Sequence, residues 1–149
     1  KNIMATAFTK LNGFVENLAE KRIDLASATL TIALSNTAPA AESTPPTGAA
    51  AECILANVTQ VAYTYCSSRV LTVSSSVQTA GTYKLILDDL ILTASGGAVG
   101  PFRYVYIYDD SATNNELIGY YDYAAALTLN DTDTLTLNFD GSAGVLTIV

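Results

Sequence analysis

Residues 102–108, Phe-Arg-Tyr-Val-Tyr-Ile-Tyr, decide the fold class. Side chains along a strand alternate between two faces, so Tyr104, Tyr106 and Tyr108 share one face with Phe102, and Val105 and Ile107 share the other. Both faces are apolar enough to need cover, which predicts a central strand. The stripe of rings has three readings: tyrosines filling a core edge, a subunit interface, or a platform for sugars. Tyr120, Tyr121 and Tyr123 extend the aromatic area.

Period-two runs lie on both sides of this strand. Leu30, Ile32 and Leu34 alternate with Thr29, Thr31 and Ala33, predicting a half-buried strand. Further strand candidates are 57–65, 69–74, 82–93, 117–123, 125–130, 134–140 and 145–149. Turn signals such as Thr79-Ala80-Gly81, Ser95-Gly96-Gly97 and Asp131 to Asp133 separate them. The expected architecture is all-β, an antiparallel β-sandwich of about eight strands in a single domain over 1–149. Within 82–93, Tyr83, Leu85 and Leu87 have one parity and Leu90 and Leu92 the other, so a β-bulge at Asp88-Asp89 is expected. Residues 127–137, with Leu alternating with Thr on both arms of Asn130-Asp131-Thr132-Asp133, read as a hairpin.

Two segments depart from the strand pattern. In the N-terminal segment 1–26, Phe8, Leu11, Phe14, Val15 and Leu18 recur at helical spacing with Glu16, Asn17 and Glu20 between them. Thr9 is the expected cap, and Gly13 costs that helix about 1 kcal/mol against Ala. Residues 36–52, rich in Pro, Ala and Thr and interrupted by Pro45-Pro46, read as an extended surface loop or arm.

Composition excludes several functions. The 149 residues are 50% hydrophobic and 14% charged, with no histidine. That removes Ser-His-Asp and Cys-His catalysis and His-bound zinc, and the chain is expected not to be an enzyme. A net charge of −7 argues against a nucleic-acid partner. No apolar run is long enough to span a membrane as a helix. Met4-Ala5-Thr6 reads like a natural start, and with or without Lys1 to Ile3 no signal peptide is expected, because the region lacks a long apolar stretch. The charge is uneven: residues 104–149 hold seven acids and no Lys or Arg, whereas 1–103 balance to zero. Cys53 and Cys66 read as idle thiols, with a disulfide left open. No cofactor is expected. Asp131 and Asp133 are the candidate metal ligands, but calcium wants six to eight oxygens and the loop is no EF-hand. Asn57-Val58-Thr59 and Asn130-Asp131-Thr132 match the glycosylation pattern, which carries little weight without a secretory signal.

Three blocks carry a family resemblance: Lys10 to Ala40, Gln78 to Asp109, and Leu117 to Ile148. Their marks are VENLAEKRIDLASATLTIALSNTAP, TAGTYKL, GPFRYVYIYDD and FDGSAGVLTI. Together they resemble a family of small structural proteins from tailed bacteriophages. The resemblance implies a bacteriophage virion structural protein, a capsid decoration or cement protein on the outer surface of the head. It would bind the major capsid protein, act as a homo-oligomer (trimer or dimer), and be made in the bacterial cytoplasm. The alternatives are a tail, neck or fibre component, or a receptor- or glycan-binding module. Contact residues expected on this reading are Phe8, Leu11 and Phe14 of the helix, Pro39, Pro45 and Pro46 of the arm, and Tyr104, Tyr106 and Tyr108. The acidic C-terminal third is expected to face outward.

Overall fold

The computed structural model describes residues 7–40 and 45–149, so the expected start at Met4 and residues 41–44 of the arm lie outside the described residues. Among those described, the chain is all-β, with nine strands in antiparallel sheets and one α-helix. A four-stranded sheet has the order β1-β7-β6-β2, made of Thr9–Lys10, Leu117–Leu129, Val99–Asp109 and Leu30–Ser35. A three-stranded sheet joins β3 (Val73–Thr79), β4 (Thr82–Leu87) and β9 (Leu146–Ile148). The remaining pair is β5 (Leu90–Thr93) with β8 (Thr134–Leu137).

The principal core lies where these sheets meet. Ile32, Val105, Ile107 and Tyr121 of the large sheet pack with Leu85 and Leu146 of the three-stranded sheet and with Leu92, Leu135 and Leu137 of the pair. This is the sandwich arrangement, with inner faces interdigitating. The other face of the large sheet is covered too. There Ala33, Tyr104, Tyr106, Tyr108 and Leu117 pack with Leu11, Cys53 and Val58, which lie on connecting chain. The strand at 102–108 is central, flanked by β7 and β2. β2 is buried along its whole length rather than half-buried, because both clusters claim it.

Several sequence expectations are corrected. Phe102 packs with Val105 and Ile107, not with the tyrosines. The β6–β7 register shifts between Phe102 and Tyr104, and that irregularity turns Phe102 to the opposite face. At Asp88-Asp89 there is a change of sheet and no bulge: β4 ends, β5 pairs with β8, and the carboxylate of Asp89 accepts the Phe139 N–H at 2.8 Å at this corner. The parity conflict disappears because Leu87 and Leu92 reach the same core from different sheets. Residues 127–137 make a tight turn, with the Asp133 N–H on the Asn130 carbonyl at 2.9 Å, but the arms do not pair. β7 stays with β6 and β8 goes to β5, so this turn is another crossing between sheets. Residues 57–65 form no strand; a 3₁₀ turn at Leu55–Asn57 leads into irregular chain touching β2 through a bridge at Gln60. Residues 117–123 and 125–130 are largely one strand, β7, interrupted by Ala124 at φ 62°.

The helix α1 spans Asn12–Ala19, later than expected. Thr9 pairs with Tyr120 in β1 and does not cap it; the residue at the cap is Leu11, whose side chain has no hydrogen-bonding atom. The polar and apolar faces also differ from the helical reading, since Asn17 is buried while Val15 is 51% exposed. Asn17 faces inward because its amide donates to the Ala50 carbonyl at 3.2 Å, tying the helix to the Pro/Ala-rich segment. That segment is not a free arm where it is described: Pro46, Thr47, Gly48 and Ala50 are buried.

Candidate functional site

The tyrosine stripe is the natural place to look for a site. Tyr104, Tyr106 and Tyr120 form a ring cluster with centroids 5.9 to 6.3 Å apart. Tyr106 has no exposed surface, and Tyr104 and Tyr108 are nearly as enclosed. The Tyr106 hydroxyl donates to the Thr37 carbonyl at 2.6 Å, and burial pushes its pKa above the ordinary tyrosine value. The rings therefore fill an internal cluster, and a sugar platform on this face is corrected. Leu11 and Phe14 are likewise inside, at 1% exposure each. Of the other expected contact residues, Phe8 is half-buried against Tyr121 at 5.4 Å, Pro46 is buried, Pro39 is half-buried and Pro45 is exposed. The structure thus brings Leu11 and the tyrosines together as core and leaves Pro45 as the openly accessible member of the set.

The acidic residues are mostly occupied. Asp122 accepts both forks of Arg103, at 2.7 and 2.9 Å, and this hydrogen-bonded charge pair holds its carboxyl below the usual carboxylate range. Asp109 and Glu116 are buried, their carboxylates accepting the N–H groups of Ser111 and Asn114. Asp131 accepts the Gly96 N–H at 2.7 Å, and Asp133 accepts the Asn130 N–H at 2.9 Å. Of the two expected metal ligands, Asp133 thus fixes its own turn and Asp131 ties that turn to the one at Gly96. Among the described residues, no group of three or more His, Cys, Asp or Glu is gathered for a metal ion. The acidic third also has no single pole. Its strands enter all three sheets, and Asp110, Asp131 and Asp140 sit on three different turns.

The cysteines do not pair and both are free. Burial, with Glu116 nearby, pushes the Cys53 thiol up to about 12, so it is protonated and inert at neutral pH. A cleft of about 570 Å³ is lined by Phe8, Tyr121, Asn138, Phe139, Asp140 and Ser142 among others. Its carboxylate, Asp140, accepts the N–H groups of Ser142 and Ala143 at 2.7 and 2.8 Å, which holds it below the usual range. It faces no paired acid or base among the lining residues. Three buried polar atoms lack a partner among the described residues: Asn17 Oδ1, Thr31 Oγ1 and the Tyr123 hydroxyl, each on a different element.

No family model, curated protein or solved structure matches the chain.

One cluster has no counterpart in the sequence reading. Arg69 lies over the Tyr63 ring at 3.7 Å and donates to the Ile32 carbonyl. The Tyr63 hydroxyl accepts the Leu34 N–H at 2.9 Å and donates to Gln60 Oε1 at 2.9 Å. These bonds fasten irregular chain along β2. The signal was a lone Arg following two tyrosines, which a strand template does not register. No described helix is long and apolar enough to cross a membrane.

Proposed function

We propose that this chain is a structural component of a tailed-bacteriophage virion that decorates the outer surface of the head and stabilises contacts between major capsid subunits. The resemblance of 10–40, 78–109 and 117–148 to that family supports the reading. The single structural observation that favours it is how the reactive side chains are used. Asp89, Asp122, Asp131 and Tyr106 each hold two stretches of chain together, and Asp133 and Asp140 close their own turns, which is the economy of a scaffold. A protein repeated over a lattice gains from many modest contacts, so no single deep site is required.

The contact surface on this reading is the outer side of α1 around Val15 together with the exposed part of the 36–51 segment. Deleting that segment would also remove the Tyr106–Thr37 and Asn17–Ala50 bonds, so point changes are the cleaner probe. The test is gold labelling of purified virions, paired with occupancy of Val15→Glu. Signal dispersed over the head, lowered by the substitution, supports decoration. Signal at one vertex or on the tail sinks it.

A further inference from the structure

We infer that the outer edge of β3 is a self-pairing surface through which two copies of this chain join into one continuous sheet. The edge is open. Ala80 and Gly81, at φ 52° and 84°, form the two-residue turn between β3 and β4, and the closing pair Thr79–Thr82 is hydrogen-bonded in such a hairpin. Alternation along the ladder then makes Val77–Lys84 and Ser75–Ile86 hydrogen-bonded pairs as well. The N–H and C=O groups of Ser76 and Gln78 therefore point away from β4. Among the described residues no backbone bond or bridge meets them.

The other edges are short or met by chain, β8 having four residues. β1 has two residues and β9 three. The outer side of β2 is met by Arg69 and Val61, through the Ile32 and Val61 N–H groups, and β5 is met by Ser67. β3 has seven residues, Val-Ser-Ser-Ser-Val-Gln-Thr, with no charge and no proline, the devices that usually blunt an edge.

Register and charge identify a second copy as the occupant. A bulge lies between Val73 and Ser75, so the regular stretch is Ser75–Thr79, whose midpoint is Val77. A two-fold axis there lets Ser76 of one copy exchange hydrogen bonds with Gln78 of the other. Val77, 57% exposed, then meets its own counterpart as a close non-hydrogen-bonded pair. Two molecules of charge −7 repel over most approaches. Residues 53–87 carry only Arg69 and Lys84, with no acid. The two Lys84 side chains would stand three strand spacings apart, about 14 Å, beyond a Debye length of about 8 Å. Edge pairing alone buries less than the roughly 800 Å² per partner of a standard interface, so the dimer forms at high local concentration.

The experiment uses the full chain in solution and no virion, so its outcome is separate from the decoration reading. In a Cys66→Ser background, Val77→Cys is expected to give a disulfide-linked dimer under mild oxidation. Thr79→Cys is expected to stay monomeric, because its counterpart across the axis is Ser75. In sedimentation equilibrium, Val77→Lys raises the dimer dissociation constant by about tenfold or more through like charges placed opposite each other. Equal cross-linking at 77 and 79, no cross-linking at 77, or a wild-type monomer at roughly millimolar concentration overturns the inference and leaves the edge to a strand of another protein.

Discussion

Replacing Gly13 with alanine sets two effects of opposite sign against each other. In an exposed helix interior the change stabilises by about 1 kcal/mol, because glycine loses more backbone freedom on folding. Here a Cβ at position 13 would lie 2.5 Å from Cys53 Cβ and 2.9 Å from the Gly48 carbonyl oxygen. Neither atom is the end of a flexible side chain, so relief requires moving the helix away from the 48–53 segment. Overpacking of this kind costs about 1–3 kcal/mol. The clash wins, leaving a net loss of about 1 kcal/mol and a fall in Tm of about 2–4 °C for a chain of this size. Urea unfolding followed by tyrosine fluorescence measures it. Adding Cys53→Gly, which removes the nearer obstacle, is expected to make Gly13→Ala less costly than it is in wild type. A Tm that rises on Gly13→Ala alone would refute the packing argument and return the helix to propensity rules.

Three other outcomes follow from the same contacts. Tyr106→Phe removes the bond to the Thr37 carbonyl and is expected to cost about 1 kcal/mol, read as a lowered urea midpoint with an unchanged slope. With its thiol pushed to about 12, Cys53 is expected to resist alkylation at pH 8 until the chain unfolds, while Cys66, also raised by burial but only half-buried, reacts earlier. Equal native rates would contradict the burial of Cys53. Burial raises the pKa of Tyr106, Tyr121 and Tyr123, the last to about 12, so the folded state retains protons that the unfolded state releases near pH 10. Their contribution to stability is complete below about pH 10 and is lost as pH rises toward the folded values. An absorbance titration should therefore show these phenols ionising together with loss of near-UV circular dichroism.

The alternation at 102–108 was enough to place a two-sided central strand, because burial on both faces leaves a direct mark on residue type. Its cover was not legible. The tyrosine face is roofed by Leu11, read as part of a helical stripe, and by Cys53 and Val58, on chain whose apolar residues follow neither a helical nor a strand period. Pairing partners were also hidden. Residues 127–137 alternate as a hairpin does, yet β8 pairs with β5, since local pattern specifies a strand and not its neighbour. Phe102 went to the wrong face because a register shift leaves no trace in the alternation itself. The candidate contact residues failed for a related reason: large apolar side chains at helical or strand spacing fill a core as readily as they mark a surface.

The large sheet separates two clusters of unlike construction. The sandwich side is closed by other strands, whose backbone bonds form only with the whole fold. The tyrosine side is closed by irregular chain, held by side-chain bonds such as Tyr106 to Thr37 and Asn17 to Ala50 and by a short backbone bridge of residues 53–55 to residues 115–117. With fewer backbone bonds than the sandwich, that roof is expected to open locally at a free energy below that of global unfolding. Amides around 47–58 should exchange with deuterium while those of β6 stay protected. Such a pattern would reveal a loosened form in which the tyrosine face is bare and the sandwich remains intact.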